Sequence, residues 1–374
     1  MTPGPVEVPD EILDAFQGQP VAHYGQEFRD LYLDTTKMLS KILGSDGKSF
    51  LMPGSGSTAM ESISATFCNS KKCLVLNNGT FGDRLFDISS KYASEVKNQK
   101  FPLGEPIDLN IAEKLINSGD YDIVLMTHVD TSVGILNPIK EISEMANDND
   151  ALFFVDAIAS SGLEKIEMDK WMIDGIMNAS QKGFACPAGL GMVTVQNELL
   201  LTLKDLPKQR AWYPDLRTWE DYHEKWNDWH PYPSTLPTNI VNALAKSLEL
   251  IEMEGIDKRI RKLKEISNRF RRAVRALGLE TFIPDGLESH GLTTVTTLEK
   301  FNASECIAFI KKELGIQVGG SLGKNGAVLF RVGHMSPKQY QLRNLVSVLN
   351  GIALFMRSKG IKADLGSAVS ELVE

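Results

Sequence analysis

Three short stretches of the chain carry residue types that could do chemistry together. Gly54-Ser55-Gly56-Ser57-Thr58 follows FLMP and opens the helical pattern AMESISATF. A glycine-rich turn feeding a helix presents free backbone N–H groups and the positive end of the helix dipole to an anion, typically a phosphate. The hydroxyls of Ser55 and Ser57 would add donors, although the same residues also suit a helix cap with no ligand. GSGSTA fits the loose dinucleotide pattern G-X-G-X-X-[GA], but the next apolar run, CLVLN, ends in Asn77 where a nicotinamide-binding chain needs an acid for the ribose. GGSLGKNG around Lys324 has neither the spacing nor the following Ser or Thr of a P-loop. Asp156 ends the run ALFFVD. It is either the cap of a helix in the AIASS that follows or a carboxylate at the lip of a buried strand, where a cationic partner is required. Lys182, in NASQKGF, ends the next apolar run. It is either an ordinary solvated lysine or an amine that loses its proton on desolvation and becomes nucleophilic.

The elements around these residues decide between such readings. CLVLN (73–77), DIVLMTH (122–128), ALFFVD (151–156), GIMNAS (175–180) and GMVTV (191–195) are almost continuously apolar. That is the signature of strands in a parallel sheet covered on both faces. Stretches long enough for crossover helices, such as Ile107–Ser118 and Pro138–Ala146, lie between them, which argues for an α/β layer fold. Ligands in such folds sit at the carboxyl ends of the strands. Asp156 and Lys182 fall at the same ends of successive strands, 26 residues apart, and the glycine loop belongs to the same edge. A phosphate cradle, a carboxylate and an amine on one edge meet the needs of pyridoxal phosphate: a phosphate site, an acid for the ring nitrogen and a lysine for the aldehyde.

Residues 205–237 break the alternation and hold four of the five tryptophans, the pattern of a covering segment laid on the domain or on a second subunit. Ile240–Glu254 and Ile256–Leu277 read as helices. Ile256, Ile260, Leu263, Ile266, Phe270, Val274 and Leu277 form one apolar stripe on the second. The basic residues between Asp257 and Arg275 read as a solvated face. TTVTTL (293–298), Ser304–Leu314, AVLFRVG (327–333) and Pro337–Ser358 then alternate strand and helix as a smaller αβ domain. At 374 residues two domains are expected, and a net charge of −8 disfavours nucleic acid as a partner. Cys68, Cys73, Cys186 and Cys306 form neither a disulfide framework nor a metal motif, and no metal site is expected from the histidine spacing. The N-terminal MTPGPVEVPDEIL is not a signal sequence, SELVE is no retention signal, and no apolar stretch reaches the ~18 residues of a membrane span. A cytoplasmic protein is expected.

With these residues in place the chain resembles the class V aminotransferases of pyridoxal-phosphate fold type I, in the alanine–glyoxylate and serine–pyruvate branch. The likeness runs in order through TPGPVEVPDEIL, PGSGSTAME, NNGTFGDR, THVDTSVGILNP, VDAIASSG, SQKGFACPAGLG, YPSTLPTN and FRVGHMS. It implies an N-terminal arm (1–20), a large cofactor-binding domain (21–250) with a mostly parallel seven-stranded sheet between helices, and a small αβ domain (251–374). It also implies that Lys182 forms the Schiff base and that Asp156 pairs with the ring nitrogen. Phe81 and Ile158 would flank the ring, Thr131 would reach its hydroxyl, and Ser55, Gly56, Ser57 and Gln181 would hold the phosphate. Tyr232 and Thr235 would reach the phosphate of the neighbouring subunit in a homodimer, and Arg331 would bind the substrate α-carboxylate. Ser57 stands where animal members carry histidine. HYGQEF after Ala22 and the Trp-rich 212–229 stretch also depart from the family pattern, both where such enzymes shape the substrate pocket.

The activity implied is transfer of an amino group from alanine or serine to glyoxylate or pyruvate. An aspartate-using enzyme, a desulfurase or other lyase, and a catalytically silent binding protein on the same fold are the alternatives. A desulfurase needs a reactive cysteine on a mobile loop, whereas Cys306 sits in the helical SECIAFIKKEL. A nicotinamide dehydrogenase lacks its ribose acid.

Overall fold

The computed structural model describes residues 1–322 and 326–374, so Lys324 lies outside the described residues. The sheet that carries the three motifs has seven strands. In spatial order they are Lys48–Pro53, Leu190–Val195, Gly175–Ala179, Leu152–Asp156, Ile123–Thr127, Lys72–Asn77 and Glu95–Lys100. Ile123–Thr127, Gly175–Ala179 and Leu190–Val195 are buried along their whole length, as their unbroken apolar runs require. The crossover helices are Gly56–Phe67, Thr80–Ser89, Leu109–Ile116 and Ile139–Asn147.

The sheet is mostly parallel, as expected, and two of its features left no trace in the apolar runs. Leu190–Val195 runs antiparallel to both Lys48–Pro53 and Gly175–Ala179, because the chain turns straight back after residue 179 instead of crossing over through a helix. That turn is the segment holding Gln181 and Lys182. The edge strand Glu95–Lys100 is polar and half-exposed, so apolar runs could not reveal it.

A second sheet is antiparallel, in the order Glu280–Thr281, Leu292–Thr296, Leu329–Gly333, Gly319–Gly320. It packs with the helices Ile256–Ala276, Ala303–Leu314, Leu342–Ser358 and Leu365–Val373 around a core that includes Phe270, Val295, Phe330 and Ile352. Leu342–Ser358 starts five residues later than Pro337 because the Gln339 side chain takes the Met335 and Ser336 amides into a tight turn. The 205–237 segment contains a helix of its own, Leu216–Trp226, whose Trp219 is fully buried in the larger core.

The basic face of Ile256–Ala276 is not uniformly solvated. Arg259 is buried and donates from Nε to the Gly162 carbonyl at 2.8 Å and from Nη2 to the Gly183 carbonyl at 3.0 Å, with Glu254 at 3.2 Å. Arg271 is buried against Glu288 at 3.2 Å. Arg259 thereby ties the long helix to the turn immediately after Lys182. Removing a buried, charged donor orphans the carbonyls it served. Arg259→Ala should therefore lower the unfolding free energy by about 2–4 kcal/mol. The exposed Arg261→Ala should change it by less than about 0.5 kcal/mol. Urea midpoints of the two variants check this.

Candidate active site

The carboxyl ends of the parallel strands open into one cleft lined by Ser55, Gly56, Ser57, Phe81, Arg84, Val129, Thr131, Asp156, Ile158, Ala159, Gln181 and Lys182. Nine of the expected site residues meet there, delivered by five separate segments. Thr127 and Asp156 end neighbouring strands in direct register, and Asp156 pairs in turn with Met177 on the next strand.

Asp156 is 3 % exposed. Its Oδ1 accepts the Ile158 N–H at 3.0 Å and its Oδ2 the Thr127 hydroxyl at 3.2 Å. Burial dominates over those bonds and pushes its pKa up to about 7, with the nearby Asp130 charge adding to the rise. Such a carboxyl becomes fully anionic only when a cation is brought against it. The Ile158 bond closes a local turn, and no helix among the described residues begins there, so Asp156 is a buried carboxyl in a turn and not a helix cap.

Lys182 is buried, and its ammonium donates to the Pro3 carbonyl. Burial first, then the Arg331 charge, bring its pKa down to about 8, with Asp156 opposing. The N-terminal arm supplies this partner by running across the cleft. Val6 N–H bonds to the Gln181 carbonyl at 3.2 Å and Gly333 N–H to the Met1 carbonyl at 2.8 Å. Gly4 lies so close that a Cβ there would stand 2.5 Å from Lys182 Nζ, and its φ of +111° is in the region only glycine adopts freely. Neither Pro3 nor Gly4 carries a chemical side chain, so nothing in the sequence marked them.

Asp130 was not singled out either, yet it organises one wall. It is fully buried. Its Oδ2 accepts the Phe81 and Gly82 amides at 2.8 and 3.2 Å, while Oδ1 accepts the Ser132 amide at 2.9 Å. The carboxylate therefore holds the first turn of Thr80–Ser89, and with it Phe81, against the Thr131 loop. Arg331, on Leu329–Gly333, approaches from the small sheet and donates to the Thr131 and Gly320 carbonyls. Asn77 is engaged in its own turn, bonding Asp83 at 2.8 Å and Asn98 at 3.1 Å.

Tyr232 and Thr235 do not line this cleft. Tyr232 is fully buried among Phe28, Tyr32 and His230, and its hydroxyl donates to the His23 carbonyl. Thr235 is exposed, 3.3 Å from His23 Nε2. Cys306 is buried in the small core, its thiol pushed up to about 12 by burial, which removes the nucleophile a desulfurase needs.

The chain matches the family Aminotransferase class-V over residues 68–346. It is 30% identical over 337 residues to an uncharacterized aminotransferase of Methanocaldococcus jannaschii, covering 90% of this chain and 87% of that one. It is 28% identical over 354 residues to alanine–glyoxylate aminotransferase 1 of Saccharomyces cerevisiae, covering 90% and 91%. Among solved structures, ureidoglycine–glyoxylate aminotransferase of Bacillus subtilis superposes with a TM-score of 0.92 at 24% identity over 100% of this chain and 96% of that one. The protein belongs to the class V aminotransferases and has the fold of the type I pyridoxal-phosphate enzymes. It is a pyridoxal-phosphate-dependent transaminase.

The residues present suit that cofactor. Gln181 lines the cleft with no hydrogen-bond partner for its buried Oε1 among the described residues, so its amide is free to turn the Nε2 donors toward a phosphate. Gly56 approaches the Ile158 side chain so closely that a Cβ would lie 2.4 Å from it, keeping the loop backbone open toward the cleft. Asp156 is a buried acid awaiting a cation.

A depressed lysine gives a pH signature. Lys182 is protonated below about 8 and neutral above it. Capture of pyridoxal phosphate by the apoprotein, followed by stopped-flow absorbance, should accelerate about tenfold per pH unit at low pH and level off near pH 8. An acceleration that continues to pH 10 would mean an unshifted amine.

Proposed function

We propose that the enzyme moves an amino group from alanine or serine to glyoxylate or pyruvate, with Lys182 and Asp156 as its catalytic residues. One observation carries the reading: a buried amine and a buried carboxylate share one edge of the sheet with the glycine-rich start of a helix. The names of the yeast and Bacillus relatives, both glyoxylate aminotransferases, support the acceptor.

When bound, pyridoxal phosphate supplies an electrophilic carbonyl and an electron-withdrawing protonated ring. Lys182 would hold that carbonyl through Nζ, and its free amine would be the base that takes the proton from the substrate Cα. Its lowered pKa leaves a useful neutral fraction near pH 7. Asp156 would keep the ring nitrogen protonated, and a cation there would bring its own pKa back down. Phe81 and Ile158 would flank the ring, and Thr131 would address the ring hydroxyl. Ser55, Gly56, Ser57 and Gln181 take the phosphate. Arg331 exchanges its carbonyl partners for the stronger, bidentate grip of the substrate α-carboxylate.

The same reading has the protein as a cytoplasmic homodimer divided into an arm (1–20), a large domain (21–250) and a small domain (251–374). The two larger buried clusters support the division, although Leu263, Leu292, Met335 and Tyr340 belong to the first and a small third cluster joins Val133 and Ile135 to Ile283. Among the described residues no helix is long and apolar enough to cross a membrane. Tyr24, Trp212 and Trp229 are about half-exposed, an unusual aromatic surface that a second subunit would cover. In that dimer Thr235 faces the partner's phosphate directly. Tyr232, whose one proton is given to His23, positions the His23–Thr235 corner.

Purified enzyme should be yellow, and borohydride should fix the cofactor to the peptide containing Lys182. Lys182→Ala should bind cofactor but lose turnover. A donor panel should rank alanine, serine and glycine above aspartate and glutamate, because a second carboxylate buried without a cation is costly. A colourless wild type in excess cofactor, or rates favouring aspartate, would contradict the reading.

A further inference from the structure

Arg84 lines the cleft but enters none of the roles above. It sits one helical turn after Phe81 on Thr80–Ser89, and the i, i+3 spacing lays its guanidinium over the Phe81 ring, 4.9 Å from the centroid. Its Nη1 lies 3.4 Å from Ser57 Oγ, its only hydrogen bond among the described residues. It is exposed on the cleft side, and no carboxylate among the described residues pairs with it. A charged guanidinium thus rests against the glycine loop with its charge uncompensated.

The loop itself is short of positive charge. A helix N-terminus offers about half an elementary charge, and serine hydroxyls and a glutamine amide offer none. A phosphate monoester carries close to two negative charges at neutral pH, since its second pKa is about 6. The other two cations of the site are committed elsewhere: Lys182 to Pro3 and the carbonyl chemistry, Arg331 to Thr131 and Gly320. Ser57 is small enough to let a long side chain from the neighbouring helix reach the loop.

We propose that Arg84 is the cation of the phosphate subsite, binding the cofactor's phosphate dianion beside Ser57 while its guanidinium plane braces Phe81. This rests on the assignment of the Ser55–Ser57 loop to the phosphate. Arg84 then discriminates phosphorylated from unphosphorylated vitamers and leaves the substrate side-chain pocket without a second cation.

The test compares two ligands that differ only in the phosphate. Apoprotein of wild type, Arg84→Gln and Arg84→Lys is titrated with pyridoxal 5′-phosphate and, separately, with pyridoxal, following cofactor absorbance. Arg84→Gln should weaken pyridoxal phosphate about 10- to 100-fold and leave pyridoxal within about twofold, with Arg84→Lys recovering part of the loss. Inorganic phosphate should compete with pyridoxal phosphate more weakly in Arg84→Gln than in wild type. Equal weakening of both ligands would make Arg84 only a brace for Phe81 and overturn the proposal. Unchanged pyridoxal-phosphate affinity, with or without a rise in KM confined to aspartate and glutamate, would overturn it as well, the rise marking Arg84 as a substrate contact. A wild type that does not prefer pyridoxal phosphate over pyridoxal would instead refute the loop assignment on which the proposal stands.

Discussion

Asp156 and Lys182 are ionisable groups held out of water at one edge of a parallel sheet, and that expense shapes everything around them. Burial raises the carboxyl and lowers the amine, so each sits within a unit or so of neutrality. Neither group could stay there unaided, because an unpaired buried charge costs several kcal/mol. The Ile158 amide and Thr127 hydroxyl serve Asp156, and the Pro3 carbonyl serves Lys182. The same logic extends outward, to the backbone amides that satisfy Asp130 and the carbonyls that satisfy Arg331.

The topology follows from holding those groups in place. Parallel strands put Thr127, Asp156 and the end of Gly175–Ala179 at a common edge. The reversal into Leu190–Val195 keeps Lys182 on a short turn instead of the first turn of a crossover helix, and Ser180 fastens that turn by donating to the Pro187 carbonyl at 2.7 Å. Arg259 clamps Gly183 from the small-sheet side, and the N-terminal arm closes over the front. The turn that carries Lys182 is therefore held from three directions.

Much of this was legible in the sequence, for a physical reason. Strands buried on both faces must be apolar throughout, so CLVLN, DIVLMTH, ALFFVD and GIMNAS announced themselves, and polar residues ending such runs stood out. Ser55, Asp156 and Lys182 are conspicuous because apolar runs lead into them. Strand direction left no such trace, so the antiparallel course of Leu190–Val195 was hidden. Glu95–Lys100 was hidden by its polarity. Arg259 and Arg271 looked solvated because a long basic helix masks which two guanidinium groups turn inward. Asp130 lay in THVDTSVG beside the Thr131 that drew attention, and Arg84 closed NNGTFGDR as one surface arginine among many. Their importance comes from tertiary neighbours, Phe81 and Ser57, that are distant from them or unremarkable in sequence.

The central claim is that a buried anion at Asp156 drives the chemistry, and Asp156→Asn isolates that charge. Asparagine is nearly isosteric and can still accept the Ile158 amide. The unfolding midpoint and circular dichroism of the apoprotein should therefore stay close to wild type. Single-turnover conversion of bound pyridoxal phosphate to its aminated form by alanine should fall about a hundredfold or more, a barrier rise of about 2.7 kcal/mol or more. Conversion within about threefold of wild type by the folded, cofactor-loaded variant would show that the Asp156 charge is not needed and that the ring nitrogen takes its charge from elsewhere.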